Sequence, residues 1–189
     1  MEKQRCAWSG KEPIYLEYHD KEWGKPVYDD QTLFEFLTLE TFQAGLSWIT
    51  ILKKRENFRK AFDGFDYKKI ANYSDKKIAS LLLDAGIIRN KLKVNSAVTN
   101  AQAFMKIQEE FGSFSTYIWG FVDGKPIKNK FKSMGDMPAN TPLSDTISKD
   151  LKKRGFKFVG STVVYAHMQA TGMVNDHLTS CFRYDEVQQ

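Results

Sequence analysis

Apolar residues recur at three- and four-residue spacing along nearly the whole chain, which predicts a succession of amphipathic helices. Asp30 is placed to cap a helix carrying Leu33, Phe34, Leu37 and Phe42, with Gly45 as its stop. Ser47 opens the next, where Trp48, Ile51, Leu52, Phe58 and Phe62 share one face and Lys53, Lys54, Arg55 and Arg59 the exposed one. Asp66 starts a short helix through Tyr73. Ser74 caps another bearing Ile78, Leu81, Leu82 and Ala85, ended by Gly86. After a tight Gly86-Ile87-Ile88-Arg89 turn, a long amphipathic helix runs from Asn90 to Phe111 and stops at Gly112, followed by a short segment around Tyr117-Ile118-Trp119. Residues 123–143 break the rhythm with Gly124, Pro126, Gly135, Pro138, Pro142 and four lysines between Lys125 and Lys132, and predict a loop or partly ordered excursion. Ser144 then caps a helix reaching Gly155, and Ser161 or Thr162 begins a last one through Val163, Val164 and Met168 to Gly172. The expected fold class is all-α, one domain over residues 1–189, with a helical core at roughly 30–122 and flanking segments 1–29 and 144–189.

Composition narrows the class. The chain has 189 residues, 42% of them hydrophobic, enough to bury a core without disulfides. No Pro/Gly- or Ser-rich tract suggests disorder, and no uncharged apolar run reaches the ~18 residues of a membrane span. The first residues lack an apolar segment after their basic ones, so the expected compartment is the cytoplasm. A net charge of +5 points moderately toward a polyanionic partner. The aromatic residues change the picture more, because Trp8, Tyr15, Tyr18, Trp23, Tyr28 and Trp48 crowd the first quarter. Rings bunched in this way are either core filler, the commoner outcome, or a stacking pocket.

Four features could carry chemistry. The two cysteines, Cys6 and Cys181, lie near opposite ends, and two of the three histidines sit beside them as Cys6-x12-His19 and His177-x3-Cys181. Two thiolates and two imidazoles make a closed tetrahedral zinc set, although the first spacing matches no standard finger. Four unrelated residues or a Cys6–Cys181 disulfide are the alternatives, the latter disfavoured in a reducing compartment. The turn at Gly86, followed by Arg89, Lys91 and Lys93, can present backbone N–H groups to a phosphate or be an ordinary helical hairpin. Glu40 is a lone acid between Thr38 and Leu52, either a solvated helix position or a buried acceptor. Beside it Ala44-Gly45-Leu46 forms a corner bearing an apolar tip, which can be packed or act as a wedge in a base stack. Finally, Lys152-Lys153-Arg154-Gly155-Phe156-Lys157-Phe158 mixes cations and rings, a solvated helix end or a contact to a nucleic-acid backbone.

Together these motifs resemble those of DNA-3-methyladenine glycosylase type I. The resemblance rests on Cys6-Ala7-Trp8, Tyr15, Tyr18-His19-Asp20, Glu22-Trp23-Gly24, Glu40, Gln43 through Trp48, Leu52-Lys53-Lys54-Arg55, Asp84 through Arg89, Lys152 through Gly160 and Asn175-Asp176-His177, in order over nearly the whole chain. It implies a helix-hairpin-helix fold in which a structural zinc, held by Cys6, His19, His177 and Cys181, joins the N- and C-terminal segments. It further implies a base pocket built on Glu40, Tyr18 and Trp48, with Trp8, Tyr15, Trp23 and Gln43 completing its wall or support. Gly45 and Leu46 would approach the gap left by a flipped nucleotide, while Gly86, Ile88 and Arg89 would meet DNA phosphate. The implied partners are double-stranded alkylated DNA and free 3-methyladenine as product, with no membrane, and the chain is expected to act as a monomer. The helix Asn90–Phe111 contains no Asp, unlike many members of the wider superfamily, and Lys91 beside the turn has no sequence partner that would activate it as a nucleophile. A monofunctional enzyme without strand cleavage is therefore expected.

These residue types suit that reaction. An adenine alkylated at N3 is a cation and a good leaving group, so selection and extrusion matter more than acid catalysis. Electron-rich rings attract a cationic base by ~0.5–2 kcal/mol per contact and stacking adds ~1–3 kcal/mol. An ionised Glu40 can accept from the exocyclic amine. Competing readings are a zinc-stabilised DNA-binding module without activity and a redox protein using Cys6 and Cys181.

Overall fold

The computed structural model describes residues 3–187. The fold is mostly helical: α1 (Pro13–Lys21), α2 (Asp30–Gln43), α3 (Trp48–Ala61), α4 (Tyr67–Ile70), α5 (Asp75–Leu83), α6 (Lys91–Phe111), α7 (Phe114–Gly120), α8 (Pro142–Lys153), α9 (Ser161–Ala170) and α10 (Arg183–Glu186). It is not purely α. A two-residue parallel ladder pairs β1 (Ile127–Lys128) with β2 (Val174–Asn175), in the register Ile127 to Val174 and Lys128 to Asn175. No helix of the described residues is long and apolar enough to cross a membrane.

Helix α2 is the axis of the molecule. The spacing of Leu33, Phe34, Leu37 and Phe42 predicts one buried face, yet every residue from Leu33 to Phe42 is buried, including Glu35, Thr38, Glu40 and Thr41. The reason is tertiary: α3, α6, α7 and α9 all pack against this one helix. Its ends are fixed by polar contacts. The Asp29 carboxylate accepts from the Thr32 N–H at the N-terminus, and the next residue, Asp30, reaches across to accept from the amides of Phe114 and Ser115, capping α7.

Several boundaries differ from those the sequence predicts. Helix α1 was not expected; Pro13 opens it, where the missing N–H costs nothing. Helix α5 ends at Leu83 with Asp84 as its cap, before the predicted stop at Gly86. Helix α8 is capped by Thr141, not Ser144. Ser144 is the third helical residue, and its hydroxyl returns a bond to the Thr141 N–H, completing a capping box. Residues 123–143 form defined structure, comprising β1 and a 3-10 turn at Met134–Asp136.

A main core fills the space around α2 and α6, while a second cluster gathers Cys6, Tyr18, Trp23, Phe36, Leu52, Ala170, Leu178 and Cys181. The N- and C-terminal segments meet in this second cluster through Cys6 and Cys181. Their approach depends on Gly172, which ends α9 at φ +70°, where a Cβ would lie 2.4 Å from the carbonyl carbon of Lys25. That closeness lets the Gly24 and Val27 amides donate to Gln169 and Thr171 carbonyls. A Gly172→Ala variant should lose about 3 kcal/mol or more of unfolding free energy in urea, since both the backbone angle and the contact forbid a side chain.

Candidate base pocket and Cys/His cluster

A cavity of about 220 Å³ opens between α1, α2, α3 and α9. Its wall brings together Trp8, Tyr15, Tyr18, Trp23, Glu40, Gln43 and Trp48, all seven pocket residues that the sequence singles out. The rings are mutually supported. Trp8 lies 4.8 Å from Trp23 and 5.2 Å from Tyr15, and Tyr18 lies 5.4 Å from Trp48, between ring centroids. Beneath them the buried Arg55 guanidinium donates to Glu22 at the end of α1 and to Glu35 on α2. This contact reverses the expected exposure of Arg55 and fixes α1 against α2 and α3.

Three polar groups facing the cavity lack a hydrogen-bond partner among the described residues. Glu40 is 4% exposed and has no hydrogen-bond or ion-pair partner among the described residues. Burial alone pushes its carboxyl up to about 8, so the acid is largely protonated at neutral pH. The indole N–H groups of Trp8 and Trp48 are likewise buried without an acceptor. Folded proteins leave few such groups unpaired, and three around one cavity point to an external ligand. Tyr18 stays a neutral phenol, raised by burial and by the nearby Glu40.

Cys6, His19, His177 and Cys181 converge behind this wall. All four are buried and their ligand atoms lie within 4.8 Å of one another. His177 Nδ1 sits 3.6 Å from Cys6 Sγ and 3.5 Å from Cys181 Sγ, and His19 Nε2 lies 3.5 Å from Cys181 Sγ. Each imidazole is oriented by its other nitrogen. His19 Nδ1 is 2.8 Å from Asp20 and His177 Nε2 is 3.0 Å from the Trp23 carbonyl, so each N–H is directed away from the sulfurs. Hydrogen bonds from Cys6, and from His177 and His19, lower the Cys181 thiol, whereas the Cys181 contact and burial raise Cys6. The cysteines are free and no disulfide joins them.

On the rim, Gly45 turns the chain at φ +80° and leaves Leu46 39% exposed. Gln43 Nε2 spans the corner to the Leu46 carbonyl at 2.7 Å. The α5–α6 turn is tied to α3: Lys54 donates to the Ala85 carbonyl, and a Cβ on Gly86 would meet Asn57 at 3.2 Å. The Gly86 N–H is taken by the Asp84 side chain, whereas the amides of Ile88 and Arg89 find no acceptor among the described residues. Lys93 departs from expectation. It does not join the basic face of the turn but is buried, donating to the carbonyls of Phe42 at 2.8 Å and Ala44 at 2.6 Å.

A family model described as methyladenine glycosylase matches residues 8–184. The chain belongs to this family. The DNA-3-methyladenine glycosylase of Haemophilus influenzae is 49% identical over 94% of this chain and 96% of its own length. DNA-3-methyladenine glycosylase 1 of Escherichia coli is 45% identical over 96% and 97%. The solved 3-methyladenine DNA glycosylase I of Staphylococcus aureus superposes with a TM-score of 0.92 at 38% identity, covering 98% of this chain and 96% of that one.

Four lining residues of this family member escape sequence reasoning. Met134 and Met137 come from the 123–143 excursion, and Ala166 and Gln169 from α9. The sole available signal is two methionines in a segment without helical periodicity, too weak to assign them a cavity more than 80 residues away in sequence from Glu40. Gln169 is held by the buried Asp176, which also accepts from Tyr165 and Asn129.

The raised Glu40 carboxyl has a pH signature. The unfolded group titrates near 4.5 and the folded one near 8, so wild type loses stability as pH rises from 4.5 through 8. Glu40→Gln removes that titration. Its melting temperature should exceed that of wild type by an amount that widens between pH 4.5 and pH 9, equivalent to a few kcal/mol on the order expected for such a shift.

Proposed function

We propose that this protein excises 3-methyladenine from double-stranded alkylated DNA by hydrolysis, leaving an abasic site. The observation that carries this reading is the unpaired, buried Glu40 in a ring-lined cavity of single-base size. Curated relatives are named for this activity, and one solved relative is described in complex with 3-methyladenine at 37% identity. Tyr18 and Trp48 stack on the extruded base, and Trp8, Tyr15, Trp23 and Gln43 shape and support the pocket. Glu40 recognises the base. Neutral in the empty pocket, it ionises when a cation arrives, because an adjacent positive charge favours the carboxylate. Normal adenine brings no charge to drive that ionisation, and guanine presents a carbonyl acceptor at C6 where adenine presents its amine.

As the C1′–N9 bond breaks, its electron pair passes to the base and discharges the cation; water adds to C1′ and gives up a proton. Extrusion of the nucleotide costs a few kcal/mol. In our reading Leu46, on the Gly45 corner, fills the vacated space, and Gly86, Ile88 and Arg89 form the helix-hairpin-helix phosphate contact. No lyase step is expected. The Lys93 amine is occupied by two carbonyls, and α6 carries no Asp. The chain is read as acting as a monomer in the cytoplasm.

The Cys/His cluster fits structural zinc. Typical Zn–S and Zn–N lengths impose tetrahedral S···N edges of roughly 3.5 Å, matching the separations of 3.5 and 3.6 Å found here. Two thiols and two imidazoles leave no open position, so the ion would tie residues 1–29 to 144–189 and would take no part in chemistry. A zinc-stabilised module without activity leaves the unpaired Glu40 unexplained, and a redox pair leaves the two oriented imidazoles unexplained.

Incubation with methylated duplex should release 3-methyladenine. Glu40→Gln should slow release about 10- to 100-fold, the loss expected for one charged hydrogen bond. Tyr18→Ala or Trp48→Ala should weaken binding of the free base about 5- to 100-fold; full wild-type affinity in either would remove that ring from the pocket. Untagged protein should hold about one zinc, and Cys181→Ser should lose the metal and unfold at lower temperature.

A further inference from the structure

Behind the α9 wall of the pocket, Asp176 is fully buried and accepts three hydrogen bonds. Asn129 Nδ2 donates to one carboxylate oxygen at 2.7 Å. The Tyr165 hydroxyl and Gln169 Nε2 donate to the other, the amide at 2.8 Å. Three elements bring these groups together. Tyr165 and Gln169 stand four residues apart on α9 and so share one face. Asn129 follows β1 and Asp176 follows β2, and the parallel ladder sets the two side by side, with the Asn129 N–H donating to the Asn175 carbonyl at 3.2 Å. Of the four side chains in this network, only Gln169 lines the cavity.

Asp176 fixes which way the Gln169 amide faces. A carboxylate offers only acceptors, so Gln169 must turn its NH2 end to it. That nitrogen also lies 3.3 Å from the Met137 sulfur, which leaves it committed to protein partners. The other end of the amide, Oε1, has no partner among the described residues and is not sealed from solvent. A loose glutamine could offer a ligand either end; this one can offer only its carbonyl. Gln43, the second lining amide, donates to the Leu46 carbonyl at the exposed rim and lacks a buried anchor of this kind. Glu40 from α2 and Gln169 from α9 therefore supply two separate acceptors to one cavity of about 220 Å³. An exocyclic amine carries two N–H groups, and each costs free energy if it is buried without an acceptor. Glu40 satisfies one of them. A purine with a carbonyl at C6 brings an acceptor to the same place, where it meets another acceptor and neither is paired.

We propose that Gln169 is a specificity-determining residue whose carbonyl accepts the second N–H of the adenine's exocyclic amine and turns away 6-oxopurines, with Asp176 as its positioning residue. The assignment rests on the 3-methyladenine glycosylase reading and deepens it. Two measurements test it: release of 3-methyladenine and 3-methylguanine from one methylated duplex, and binding of free 3-methyladenine. Gln169→Met keeps the side-chain length and removes the acceptor. It should weaken free 3-methyladenine binding about 5- to 30-fold and lower the ratio of 3-methyladenine to 3-methylguanine release about tenfold. Asp176→Ala frees the amide to present its N–H to a C6 carbonyl. Release of 3-methylguanine should then rise in absolute rate while release of 3-methyladenine falls; a merely structural Asp176 would lower both. If Asp176→Ala does not fold, Gln169→Met decides by itself. Unchanged affinity and an unchanged ratio in Gln169→Met, against a wild type that releases 3-methyladenine, would overturn the Gln169 assignment alone. A wild type that releases neither base, but whose affinity for 3-methyladenine still falls in Gln169→Met, would overturn the glycosylase reading and leave Gln169 in place.

Discussion

Glu40 stands in the last turns of a helix buried on every side, and nothing in the described protein pairs with it. Burying a carboxyl without a partner is costly, and the cost is held down here by keeping the group protonated. The surrounding architecture maintains that condition. Arg55, buried beneath the rings, is engaged with Glu22 and Glu35 and makes no ion pair with Glu40. The other lining residues are rings, two methionines, an alanine and two glutamines, with no cation among them. The pocket is therefore electrostatically poised for a ligand that brings its own positive charge.

Keeping such a cavity open requires that its wall not collapse inward. Trp8 and Trp23 lean on His19 and His177, at 5.3 and 4.7 Å between ring centroids. The Trp23 carbonyl also orients the His177 ring. The Cys/His cluster thus supports the aromatic wall directly. Lys93 plays the corresponding part at the rim. Its ammonium closes the carbonyl end of α2 and joins the Leu46 corner to the first turn of α6, so that corner and the α5–α6 turn share one connection.

The helices were legible because apolar spacing and capping residues are local properties. Ser74 caps α5 as its side-chain chemistry dictates, whereas α2 is capped by Asp29, one residue before the expected Asp30. The all-round burial of α2 was not legible, since Glu35, Thr38 and Thr41 read as a solvated face until four other helices surround them. Arg55 and Lys93 failed in the same way: each sits in a basic run that reads as exposed, and each is turned inward by partners distant in sequence. Met134 and Met137 lie in a segment whose local pattern carries no sign of a cavity.

Residue identity by itself determined the chemistry available to this protein: two thiols, two imidazoles, a lone acid and a crowd of rings. Those properties belong to side chains and their spacing, and folding does not alter which donors exist. Tertiary structure alone decided which of them meet and which remain unsatisfied. Whether Glu40 is a solvated acid or a raised, unpaired one depends on what packs around it. Burial and pairing are sums over neighbours that the chain brings from every part of its length.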